Sequence, residues 1–237
     1  MNTKDQLFCA WSGVIFMIMM LVGWALMSGF LPPHAPTMTG EEVSAFYQAN
    51  PTSIRLGLVI ALLSSVLLIP FSALITVQML KIEGPFPVWS YTQLAAAAGT
   101  VITFVVPFMM WQAVSFRPDR SPELMLLMND LAWIPFVGAT APYYIAPIAI
   151  AIVGFRDKRE QPFFPRWACY YNLWVATLVM PGCIIVMFKT GPFAWNGLFG
   201  WWLPLVDFGI WFIVMAVLMH RGIKRQAQQA ASAAPAP

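Results

Sequence analysis

Apolar residues in this chain come in six long runs separated by short polar stretches, and not as the single apolar stripe of a surface helix. A helix needs about 20 apolar residues to cross the ~30 Å of hydrocarbon in a bilayer. The segments 7–31, 55–80, 91–116, 131–155, 167–188 and 199–219 meet that length. The first is longer than the apolar core of a signal peptide and no A-x-A site closes it, so a retained span is expected. The pattern predicts an all-α integral membrane protein, a six-transmembrane-helix bundle over residues 1–225. Residues 226–237, mostly Ala, Gln and Pro without charge, are expected to form a disordered C-terminal tail.

The polar stretches give a direction. If the N-terminus is inside, nine of the 13 Lys and Arg lie on the inner side: Lys4, Lys81, Arg156, Lys158, Arg159, Arg166, Arg221, Lys224 and Arg225. The outer side holds Arg55, Arg117, Arg120 and Lys189. Basic residues accumulate on the cytoplasmic side, so the expected topology is N-in/C-in. Trp89, Trp111, Trp167, Trp195 and Trp201 stand near span ends, where indoles suit the interfacial belts. Short loops and this simple topology suit the cytoplasmic (inner) membrane of a bacterium.

One connection has local structure. Thr39-Gly40-Glu41-Glu42 fits a capping box, and Val43, Phe46 and Tyr47 then share one helical face. Asn50-Pro51 restarts a helix. A short amphipathic helix over 40–49 is expected on the outer surface, either as a lid over a pocket or as an interfacial brace.

Two inner loops match each other. Lys81-x-Glu83-x-Pro85-Phe86-Pro87-x-Trp89 is followed later by Lys158-x-Glu160-x-Pro162-Phe163-Phe164-Pro165-x-Trp167, with one residue inserted. Pro70 and Pro147 precede the two lysines by the same distance. A parallel internal repeat relating spans two and three to spans four and five would produce this, unlike the inverted repeats of many transporters.

Composition narrows the chemistry. Of 237 residues, 59% are hydrophobic and 10% charged, against roughly a quarter charged in a soluble domain. A net charge of +3 is too small and scattered to be a footprint for nucleic acid. His34 and His220 flank the apolar runs, so no histidine pair is placed for haem and no cluster for zinc or di-iron. Cys9, Cys169 and Cys183 lack CxxC spacing and read as small buried hydrophobes. The 15 methionines read as packing, not as a copper path. No metal and no cofactor is expected.

Ionisable groups at membrane depth are costly, and are therefore the candidates for function. Asp130 is expected at the outer interface. Asp207, thirteen residues before His220, is expected roughly 20 Å above the inner boundary. With Lys189 at the end of span five, the three form a candidate outward-facing site for a ligand or a proton. Asp207 serves equally well as interhelical glue. Asn172, Tyr143, Tyr144, Ser64 and Ser65 read as interhelical hydrogen bonds, and the prolines within spans two to six as bends.

Three functions fit these features. The first is binding or translocation of a small apolar or amphipathic molecule at the outer site. The second is a non-catalytic accessory subunit that docks a protein partner through Lys81, Glu83, Lys158 and Glu160. The third is an intramembrane enzyme that divides acid and base roles between Asp130 and Asp207. No nucleophile–base pair or metal motif accompanies those two carboxylates, so no catalytic residue is assigned.

Overall fold

A computed structural model describes residues 2–232, and every regular element among them is helical. Six helical runs are long and apolar enough to cross a membrane: Thr3–Met27, Pro51–Glu83, Val88–Phe116, Pro122–Arg156, Arg166–Met187 and Leu198–Ser232. The chain is a multi-pass membrane protein in contact with lipid. Leu26, Leu63, Trp174 and Met187 are 63–75% exposed, which only an apolar solvent tolerates on so many large side chains.

Most of the runs are interrupted. Run one starts as α1 (Thr3–Met20), capped by the Asn2 side chain, and widens into π-helical turns at Leu21–Met27. Helix α2 is Gly40–Ala49. Helix α3 (Pro51–Ser64) passes through a 3-10 turn at Ser65–Leu67 into α4 (Leu68–Glu83). Helix α5 (Val88–Phe116) is continuous. Run four is divided into α6 (Pro122–Gly138) and α7 (Ala141–Arg156). Helix α8 (Arg166–Val179) tightens into 3-10 turns over Met180–Met187. Run six opens with π-helical turns at Leu198–Trp202 and continues as α9 (Leu203–Ser232).

Proline accounts for several of these changes, because it cannot donate to the carbonyl four residues back. Pro142 leaves the Gly138 carbonyl without its helical donor, and the Thr140 N–H takes it at 2.8 Å, ending α6. Pro181 likewise cannot reach Thr177, whose carbonyl accepts from Met180 in a tighter turn. Pro107 leaves α5 intact, at the cost of one helical donor to Thr103.

The bundle has two distinct ends. At one, Trp11 meets His220, Gln78 meets Gln6, and Arg225 meets Pro162. Both ends of the described chain emerge there, and it is called the termini end. At the other, α2 packs across α6, with Val43 and Tyr47 fully buried. The Thr39 cap and the Glu42 side chain form the reciprocal capping box that the sequence specifies.

Several sequence expectations are corrected. The first run ends at Met27, short of residue 31. Helix α9 continues through Ser232, so residues 226–232 are helical; 233–237 lie outside the described residues. Trp111, Trp195 and Trp201 are 0–7% exposed and belong to the core, where a large ring supplies more packing contact than it would at the rim. Cys183 is exposed, beside the Thr140 hydroxyl, not buried.

Candidate functional site

Four irregular stretches converge in the half of the bundle nearer α2. They are the π-helical turns of run one, the α6–α7 break, the 3-10 turns of run five and the π-helical start of run six. Met20, Trp24, Thr140, Gly182 and Trp201, drawn from these stretches or their borders, line one cavity of about 110 Å³. Irregular backbone at membrane depth is tolerated where it lines a cavity, because lipid cannot satisfy freed peptide groups. Gly182 is required here: a Cβ would stand 2.6 Å from both the Val137 carbonyl and the Thr140 methyl. That close approach lets run five pack against the break in run four.

The wall is aromatic. Trp24, completely buried, lies 5.3 Å from Trp201, 5.1 Å from Phe136 and 5.7 Å from Trp133 between ring centroids. Phe30 stacks on Trp24 and tilts against Trp111 at 4.8 Å. These rings form a plug between the cavity and α2. Above it, His34 is half-buried against Phe46, and its carbonyl accepts from the Trp195 indole at 2.7 Å. Burial pushes the His34 imidazole down to about 4, so the ring is neutral at physiological pH.

The polar atoms of this region are unusual in lacking partners. The indole N–H groups of Trp24, Trp111, Trp133 and Trp201 and the Tyr143 hydroxyl are buried without a hydrogen bond among the described residues. Each such group carries an unrecovered desolvation cost of about 1–3 kcal/mol. Trp24, Trp201 and Tyr143 all border the cavity. An indole can only donate, so this lining is matched to a hydrogen-bond acceptor.

The predicted polar trio does not come together as one site. Asp130 lies at the α2 end beside Asn129, which accepts from the Tyr47 hydroxyl at 2.9 Å. It is half-buried, within electrostatic reach of the exposed Lys189, and forms no ion pair with it. Asp207 sits deeper. Its backbone carbonyl is 3.5 Å from the hydroxyl of Tyr171, only five residues into α8 from the termini end. The Asp207 Oδ2 atom is buried without a partner among the described residues. Asp207 does not itself border the cavity, but its neighbour Phe208 and the nearby Tyr143 do.

The loop residues divide. Lys81 donates to Gln78 and Gln226, tying α4 to α9. The Glu83 side chain is 2% exposed and accepts from the Trp89 and Ser90 N–H groups and the Ser90 hydroxyl at 2.7–2.9 Å. In the second loop the corresponding task falls to Asp157, which accepts from the Phe163 N–H and from Arg159. Burial raises the Asp157 carboxyl, but those donors outweigh it and hold it below the usual carboxylate range. Lys158 and Glu160 are exposed. Asn172 accepts from the Trp211 indole at 2.9 Å across helices, as its position suggested. Ser64 and Ser65 instead bond carbonyls of their own helix.

Sequence reasoning passed over Trp24 and Trp133, the centre of the plug. The available signal was the set of prolines 142, 181 and 204, whose runs share the cavity. No group of three or more potential ligands for a metal ion occurs among the described residues. Comparison of the chain with protein-family models, with curated proteins and with solved structures found no match.

Proposed function

We infer that this protein binds or translocates a small apolar molecule that carries a hydrogen-bond acceptor. The observation that carries this reading is the cavity at the helix interruptions, bordered by the unpartnered donors of Trp24, Trp201 and Tyr143. A cavity of about 110 Å³ suits a single ring or head group, by comparison with the ~150 Å³ cavity that accepts benzene in an engineered core. A carbonyl or ether oxygen on that ring would satisfy the donors, and the aromatic wall would hold the ring face.

The basic residues support an N-in/C-in orientation, with α2 and Lys189 on the outer side of a cytoplasmic membrane. In that orientation α2 and the aromatic plug separate the cavity from the outside, and Asp207 with Tyr143 lies below it as a proton or ligand contact. Asp130 and Lys189 then flank the outer approach. The matching loops support a parallel repeat of the α4–α5 and α7–α8 hairpins, although Glu83 and Asp157 secure them from different positions.

Native mass spectrometry of the protein in nanodiscs tests the reading. A reproducible small-molecule adduct is expected, weakened in Trp24→Phe and Tyr143→Phe while the folded fraction is unchanged. An adduct indifferent to both substitutions, or none under any lipid condition, would overturn it.

A further inference from the structure

A second cavity lies at the termini end, between α9 and the loop 157–165, and encloses about 490 Å³. Arg221, Lys224, Arg225 and Gln228 line it from α9. Their spacing places them on one helical face, three and four residues apart. The loop is docked onto α9 by contact: Phe163 packs on Gly222, where a Cβ would collide with its ring. Arg225 donates to the Pro162 carbonyl at 3.3 Å and to Gln161 at 3.4 Å, closing the floor.

Charge in this cavity is unbalanced. Neither Arg221 nor Lys224 forms an ion pair or side-chain hydrogen bond among the described residues, and both are exposed. No carboxylate lines the cavity. His220 accepts from the Trp11 indole through Nδ1 at 3.2 Å, which leaves the ring proton on Nε2 as a further donor. Apolar side chains border the same cavity: Leu218, one turn before Arg221 on α9, and Trp167 on α8, which is 56% exposed. Cationic donors thus stand directly beside a surface fit for an acyl chain, at the level where the apolar run of α9 gives way to charge.

We propose that this cavity is a binding site for the phosphodiester head group of an anionic phospholipid, with Arg221 and Lys224 holding the phosphate and Trp167 and Leu218 the first part of an acyl chain. The site is separate from the aromatic cavity and does not depend on its function. Basic pockets beside membrane helices suit anionic head groups, and each cation near the surface contributes enough for several-fold selectivity. The free phosphate ion shares the anionic chemistry but lacks the chain, so the two sources are separable.

The full-length protein is titrated in mild detergent with phosphatidylglycerol, phosphatidylcholine or inorganic phosphate, and bound lipid is counted by native mass spectrometry. Phosphatidylglycerol is expected to bind about tenfold more tightly than phosphatidylcholine. The double variant Arg221→Gln, Lys224→Gln should reduce that preference to near parity, with its thermal unfolding unchanged because both side chains are exposed. Arg117→Gln at the far end should leave the preference intact. Tryptophan emission, taken as the difference from Trp167→Phe, offers a second reading: brominated phosphatidylglycerol should quench the Trp167 part more than brominated phosphatidylcholine, and only with the two cations present. Equal binding of the two lipids, or an undiminished preference in the double variant, would overturn the site. Binding of inorganic phosphate as tight as that of phosphatidylglycerol would overturn its assignment to a lipid.

Discussion

The two ends of the bundle treat buried polar groups in opposite ways. At the termini end, the side chains of Glu83, Asp157 and Gln78 are each committed to partners within the chain. Toward α2, four indoles, His34 and Gln112 keep buried nitrogens with none among the described residues. Helix regularity follows the same division, since the π-helical turns, the break in run four and the long 3-10 stretch all lie toward α2. Satisfied polar groups and intact helices make the termini end the part that holds the fold. The other half retains groups that cost stability, and under the proposed function a bound ligand offsets that cost.

The sharpest way to break this contrast is at Glu83. Glu83→Ala leaves three donors without an acceptor and should cost about 3 kcal/mol, read by denaturant unfolding in mixed micelles. A loss under about 1 kcal/mol would mean that water reaches that end freely. Trp133→Phe should behave in the reverse sense, because it removes an unpartnered donor while keeping a ring in the plug. A change within about 1 kcal/mol of zero, of either sign, is expected in the same assay.

A smaller, graded effect comes from acid. The folded His34 titrates near 4 and the unfolded one near its ordinary 6.5, so the stabilisation is complete above that value. It is lost progressively as pH falls from about 6.5 to about 4, where the unfolded chain takes up the proton first. Hydrogen exchange in α2 should therefore accelerate between pH 7 and 5, after correction for intrinsic rates, and His34→Gln should abolish the acceleration. Asp157 stays charged throughout that window, so the loop 157–165 should show no such change. The least effect is expected at Arg156, 3.9 Å from Glu83 and 55% exposed: Arg156→Gln should cost less than about 1 kcal/mol.

The sequence disclosed some of these features and concealed others for physical reasons. The six runs were legible because crossing hydrocarbon demands length and apolarity together, and both are properties of the chain itself. Helix α2 was legible to the residue, because the Thr39 and Glu42 side chains act on backbone within one turn. The division of run four was not, although Pro142 stood in view. A proline sets a helix free to break, but α5 runs through Pro107 without breaking, and the neighbours decide between the two. Tryptophan was misleading for a related reason: Trp111 and Trp201 sit at heights where an indole can face either the head groups or the core. The separation of Asp207 from Asp130 and Lys189 depends on depth and on which helix faces which, and neither is written in spacing along the chain.

One packing feature bears on how such a protein is made. Helix α1 is followed by four further runs before α9 is made, yet the two meet: Phe16 lies 5.7 Å from Phe212 and Trp11 bonds His220. The face of α1 that closes the bundle therefore waits through the synthesis of four intervening runs. Until run six arrives, that face of α1 lacks its partner, and the aromatic cavity lacks the wall that Trp201, Leu205 and Phe208 supply. Assembly is in this sense a seam sewn at the final stitch, and a chain halted before run six would present that open seam to the cell's quality control.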